Sequence, residues 1–225
     1  MTNRKAILIG LDGMPYGLMD RFAHDGTMPN FGALVEESSF RQMASSIPEV
    51  SSVAWSSVIT GVNPGEHGVY GFTDIAEGTY RTTFPNFNHL KAKPFWEREG
   101  GDRSVIINVP TTFPAREMNG TLIAGFVALD LERATYPSSL VPTLEEMDYR
   151  VDVDSQKAHQ SLDFFLRDLD KTLQARIDVY RHLWNEEDWK TFVLVFTGTD
   201  RLAHFLWDAY EDETHKHHDS FLDHF

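Results

Sequence analysis

Short, unbroken apolar runs alternate along this chain with stretches in which apolar residues recur every three or four positions. Residues 6–11 (AILIGL) form the first run and end in Asp12-Gly13; residues 103–109, 121–126 and 192–196 repeat the pattern. A run that is apolar at successive positions fits a strand buried on both faces, the condition of a parallel sheet. Between the runs lie helical patterns. Residues 30–38 follow Pro29, which suits a helix start, and residues 51–60 end at Gly61, which suits a helix C-terminus. Leu162, Leu166, Leu169, Leu173, Ile177, Tyr180 and Trp184 mark one stripe of a long amphipathic helix. Helices alternating with buried strands predict an α/β domain with a mostly parallel sheet flanked by helices.

Composition narrows this picture. The chain has 225 residues, of which 41% are hydrophobic, enough for a sizeable core in one large domain. It has no cysteine, so a disulfide framework and thiolate metal sites are excluded, and a metal would rest on His, Asp and Glu. A net charge of −14 argues against a surface for nucleic acid or anionic lipid. The five-residue apolar start after Met-Thr-Asn-Arg-Lys is too short for a secretion signal or membrane span, so the reading is a cytoplasmic protein. On the same ground Asn119-Gly120-Thr121 is a chance glycosylation sequon. Residues 74–100 and 127–155 are irregular and rich in Pro, aromatic and polar residues, as insertions or caps beside a site often are.

Three positions stand out for chemistry. Asp12 falls at the carboxyl end of the first strand, where open α/β sheets bind ligands; an Asp-Gly turn is the plainer alternative. Ser51 opens a helix, where a serine is commonly an N-cap, yet the same place favours negative charge on or near its hydroxyl. Ser52 is the rival one residue along. Asp200 and His204 stand four apart after a buried strand, so a helix would bring both to one face, and that pair suits Zn2+ or Mn2+. The His215, His217, His218 and His224 run lies among acidic residues with no strand before it and reads as a solvated helix or loop.

Four stretches together resemble the type I phosphodiesterase/nucleotide pyrophosphatase branch of the alkaline phosphatase superfamily. They are Ile7-Leu8-Ile9-Gly10-Leu11-Asp12-Gly13, Met28-Pro29-Asn30-Phe31, residues 47–72 (IPEVSSVAWSSVITGVNPGEHGVYGF) and the segment from Thr197 to His204. Within the third, Thr60-Gly61, Pro64, His67 and Gly68 are similar to the family's TG-x-x-P-x-x-HG segment, and counting back from Thr60-Gly61 puts the nucleophile on Ser51. The resemblance implies an alkaline-phosphatase-like fold and two divalent cations, Zn2+ or Mn2+, about 4 Å apart. Asp12 and Ser51 would serve one, Asp200 and His204 the other. It further implies a small phosphate-ester substrate and a covalent phosphoseryl intermediate. His67 is expected to be structural.

The chain also departs from that pattern. The family's strand-S-D-H-G motif and a later His are not found; Asp223-His224 lacks the preceding strand and the trailing Gly. The expectation is therefore the N-terminal part of a catalytic domain, incomplete at its C-terminus and weak or inactive alone, either as a fragment of a longer enzyme or as a truncated relative. Ser52 stands where nucleotide-directed relatives carry a stacking Phe, and Phe72 where they carry an Asn. A general phosphodiester or monoester is favoured over a nucleotide. A phosphomutase, a phosphonate hydrolase and a non-catalytic α/β binding module are the alternatives.

Overall fold

The computed structural model describes residues 4–98, 101–128 and 130–225. The chain enters through β1 (Ala6–Leu11), turns at Asp12-Gly13, and continues through α1 (Tyr16–Asp25), α2 (Pro29–Glu36), α3 (Ser51–Thr60) and the single turn α4 (Pro64–His67). The small hairpin of β2 (Asp74–Ile75) and β3 (Thr82–Thr83) comes next, then β4 (Ser104–Val109) and β5 (Gly120–Ala124). After α5 (Leu131–Ala134), β6 (Thr135–Tyr136), α6 (Val141–Glu146) and α7 (Ser155–Ala158), the chain runs the length of α8 (Leu162–Glu186). It ends with β7 (Thr191–Phe196), α9 (Gly198–Glu211) and α10 (His218–His224).

The main sheet has the order β1-β7-β4-β5-β6. Its first four strands are parallel and β6 joins β5 antiparallel. All six residues of β4 are buried, as a central parallel strand requires. Alternation of side chains divides the core in two. Ile106, Val193 and Val195 pack with Trp55 and Ile59 of α3 on one face. Val105, Ile107, Phe192 and Leu194 pack with Val179 and Leu183 of α8 on the other. A third cluster joins Phe165 and Leu169 of α8 to Leu202 and Leu206 of α9 and Phe221 of α10. The α/β architecture with a mostly parallel sheet flanked by helices is the one the periodicity predicts.

The segments 74–100 and 127–155 include residues 99, 100 and 129, which lie outside the described residues. Within the second, β6 extends the main sheet, and Leu144 and Tyr149 pack in the core beneath α8. The histidine run differs from its expected solvated state. Phe221 is fully buried and His217 is 9% exposed, because Phe221 and Phe225 carry the segment onto Phe22 and Tyr210. The polar histidines flank an aromatic anchor, which a reading of charge alone misses.

One contact ties the sheet to α3. The Trp55 ring lies against the backbone of Gly10, and a Cβ added there would meet its Cη2 at 2.2 Å. Gly10→Ala is therefore expected to push α3 off β1 and to cost about 1–3 kcal/mol of stability, the usual penalty of overpacking. Urea unfolding followed by circular dichroism measures it; an unchanged midpoint would show that the helix moves freely.

Candidate functional site

Parallel pairing of β1 with β7 aligns Leu11 with Phe196, so the loops that follow leave the sheet side by side. Asp12 ends the first loop's descent and Asp200 sits in the first turn of α9 after the second. Their backbones touch: Gly13, at φ +70°, has no room for a Cβ, which would come 2.7 Å from Asp200 Cα. Thr199 Oγ1 donates to the Asp12 carbonyl at 2.6 Å and the Asp12 amide donates to the Phe196 carbonyl at 2.9 Å, so the two loops are laced together.

α3 brings the third member. Its N-cap residue is Val50, which has no side-chain oxygen to occupy the first-turn amides. Gly61, at φ +68°, closes the other end by donating its amide to the Ser57 carbonyl at 2.8 Å. Ser51 Oγ donates to Asp12 Oδ1 at 3.3 Å, and one turn along Trp55 Nε1 donates to the same oxygen at 2.9 Å. Both donors fall on Oδ1 and leave Oδ2 to the cleft. Ser52 is 1% exposed, with its hydroxyl enclosed and unpartnered, so it is turned into the protein while Ser51 faces the cleft.

Asp12, Ser51 and Asp200 line one cleft of about 860 Å³, with Met14, Tyr16 and Trp207 among its walls. His204 lies outside that cleft. Its side chain is 67% exposed beside His159 and Phe205, with Nε2 3.5 Å from Asp200 Oδ1. Partial burial raises the Asp200 pKa, and the nearby Asp12 charge adds to the rise; His204 and Arg201 act the other way. Arg201 is committed elsewhere. Its Nη2 donates to Asp152 Oδ2 at 2.6 Å, its Nε reaches both Asp152 oxygens, and Nη1 lies 3.5 Å from Asp200 Oδ2.

Two facing carboxylates, one with its charged form disfavoured, form an environment that a divalent cation would relieve, and carboxylate with imidazole is the donor chemistry for it. Yet among the described residues no three His, Asp or Glu side chains gather closely enough to hold a metal ion. The donors present fit in kind and form a partial set. His67 cannot join them. It is fully buried, which lowers its pKa; Nδ1 accepts from the Val69 amide at 3.1 Å, so Nε2 donates to Ser57 Oγ at 3.0 Å.

Sequence reasoning gave no role to Trp55, Thr199, Arg201 or Asp152. Trp55 carried a usable signal, since it stands one helical turn from Ser51 and must share its face. Asp152 did not, because nothing local connects it to Arg201.

The fold is similar to that of phosphonoacetate hydrolase from Sinorhizobium meliloti 1021 in complex with phosphonoformate, at 17% identity and a TM-score of 0.61, over 99% of this chain and 51% of that one. The same enzyme in complex with phosphonoacetate matches at 17% identity and a TM-score of 0.59, over 87% of this chain and 46% of that one. The chain thus spans about half the length of these solved structures. Among curated proteins none matches it significantly. The sequence pattern of the type I phosphodiesterase / nucleotide pyrophosphatase family matches residues 6–225, and the chain belongs to that family.

Proposed function

We propose that this chain carries the nucleophile-bearing part of a metal-dependent hydrolase of phosphate esters, with Ser51 as the attacking group. The observation that carries this reading is the Ser51 Oγ hydrogen bond to Asp12 Oδ1 in a cleft that also holds Asp200. The Asp12 carboxylate engages the hydroxyl proton and leaves the oxygen lone pairs for a phosphorus centre. The uncapped start of α3 supplies amides and a helix dipole suited to a phosphoryl group's negative charge. Asp12 and Ser51 would hold one divalent cation, Asp200 and His204 another. Such ions, when bound, lower the pKa of the nucleophile and neutralise charge on the attacking and leaving oxygens. Thr199 and Trp55 hold Asp12 in place from its backbone and its carboxylate.

The cleft also bears on the substrate. Its walls include Met14, Met43, Val58 and Trp207, and among the described residues no Lys, Arg or His lines it. An apolar ester group would be covered. This suits a phosphodiester with an aryl or alkyl arm.

Two outcomes test the reading. In the polypeptide extended downstream of this chain, with Mn2+ or Zn2+ added, Ser51→Ala should lower turnover of bis(4-nitrophenyl) phosphate by about a thousandfold or more, while the neighbouring Ser52→Ala leaves the rate nearly unchanged. Equal losses in both variants, or none in Ser51→Ala, would remove Ser51 from the chemistry.

The second follows from Asp200. A carboxyl with a raised folded-state pKa contributes stability below its unfolded pKa of about 3.9, and loses that contribution as pH rises through the folded value. Without metal, Asp200→Asn should therefore melt higher than wild type at pH 7, with the gap closing toward pH 3. Adding Mn2+ or Zn2+ should raise the wild-type midpoint by more than that of the variant, which keeps only Asp12 and Ser51 as ligands. An equal metal-induced rise in both proteins would argue against Asp200 as a ligand.

A further inference from the structure

The outer side of α3 leads away from Ser51. Ser51, Ala54 and Val58 stand at spacings of three and four, so they share one side of the helix. Val62 follows at the next interval of four, just past Gly61. Along the axis Val58 lies about 10 Å from Ser51, at 1.5 Å per residue. The segment 39–50, which has no regular secondary structure, lies beside this side of the helix and holds Met43 and Ile47 outward, 82% and 87% exposed.

The cleft that holds Ser51 opens into a second groove of about 590 Å³, which runs on to Val62 and Pro64. The two share Met43, Ile47, Ala54 and Val58 as walls, and the small side chain of Ala54 keeps the passage between them wide. Scattered apolar residues are ordinary on a protein surface. Here they gather around one passage that begins at the nucleophile. Methionine adapts its shape to an occupant more readily than a branched side chain does.

Polar side chains along the second groove are engaged within the chain. Ser46 Oγ donates to the Pro48 carbonyl at 3.1 Å, and Ser57 Oγ accepts from His67 Nε2 at 3.0 Å. Asn63 Oδ1 accepts from the Gly65 amide at 2.9 Å, and its Nδ2 donates to Glu66 Oε1 at 3.0 Å. A nucleoside or sugar placed there would give up hydrogen bonds to water with few to replace them. Hydrocarbon gives up none and gains by burial.

We propose that this groove takes a long hydrocarbon arm of the substrate. With Ser51 as the attacking group, on which this reading rests, the substrate is a lipid-like phosphodiester. Its phosphoryl group sits at the start of α3 and its alkyl chain lies along Ala54, Val58 and Val62. An aryl ring fills the space beside Ser51 and stops short of Val62; a flexible chain reaches it.

Calorimetric titration with n-alkyl phosphates, kept below their micellar concentrations, tests this without turnover. The protein is the polypeptide of the Ser51 test, with Mn2+ added. From ethyl to decyl phosphate, affinity should rise about threefold per methylene. Val62→Asp should remove the gain of the longest chains and leave ethyl phosphate binding unchanged. A flat wild-type series overturns the proposal without reliance on any variant. So does a rise that Val62→Asp leaves intact, which would be adsorption elsewhere. Self-association that Val62→Asp abolishes in sedimentation overturns it too, because the groove would then belong to a second copy. Hydrolysis of ethyl and decyl 4-nitrophenyl phosphate separates this reading from the one beneath it. Equal kcat/KM for the two esters removes the hydrocarbon arm and keeps the hydrolase. Affinity that rises with length while neither ester is hydrolysed removes the hydrolase and keeps the hydrocarbon groove.

Discussion

Parallel pairing of β1 with β7, in the register that sets Leu11 beside Phe196, is the constraint on which the rest of the molecule depends. Two parallel neighbours release their chains at the same end of the sheet, so the loops after them must share one small space. Here those loops carry Asp12 and Asp200. A slip of one residue would turn every β1 side chain to the opposite face, taking Ile7 and Ile9 off the side they share with Phe192 and Leu194. It would also carry Asp12 away from the Thr199 hydroxyl and Gly13 away from the Asp200 backbone. The position of the acidic pair is thus set by the hydrophobic pattern of two strands, and the glycine follows from it: the closeness that register imposes leaves no room for a Cβ.

Trp55 transmits that constraint to the helix carrying Ser51. One edge of its indole fills the space over Gly10; its Nε1–H reaches Asp12 Oδ1. A single side chain therefore sets both the distance of α3 from the sheet and the orientation of the carboxylate its first residue addresses. Ser51 and Trp55 lie one turn apart and point to one face, while Ser52 is carried into the core. Which of the two adjacent serines faces the cleft, open from local sequence, is set by helix phase once the tryptophan's place is known.

Much of this was legible beforehand because it rests on local periodicity. The four strands, the helix closing at Gly61 and the long amphipathic helix all follow from patterns within one element, although β1, expected to be buried on both faces, leaves Ile7 and Ile9 exposed because among the described residues nothing packs over them. The site's neighbourhood was legible in the same way, since Asp12 and Asp200 each follow a buried run. What the sequence hid depends on long-range company. His204 shares a helix face with Asp200 yet lies mostly in solvent, because the spacing fixes its direction relative to Asp200 and not what the face looks toward. The Asp152–Arg201 pair joins residues 49 positions apart, and the burial of His217 depends on where Phe221 finds an aromatic pocket.

Two features of the molecule oppose its own stability and have the same cause. Asp200 is held where partial burial and the neighbouring Asp12 disfavour its charge, and β1 exposes isoleucines of a kind that parallel sheets bury. A sequence shaped only for the fold of these residues would relieve both, with an amide at one place and polar side chains at the other. Arg201 could ease the first, but its fork is spent on Asp152, which leaves the Asp200 carboxylate only partly compensated. The strained carboxylate sits at the carboxyl end of the sheet, in the cleft; the uncovered isoleucines lie along the body of the same strand that delivers Asp12. The tip of β1 thus faces the disfavoured Asp200 carboxylate, and among the described residues one edge of the strand is unpaired along its length. The two are separable physical problems, electrostatic and hydrophobic, so a cation at the cleft would leave the edge open and a strand at the edge would leave the charges facing each other.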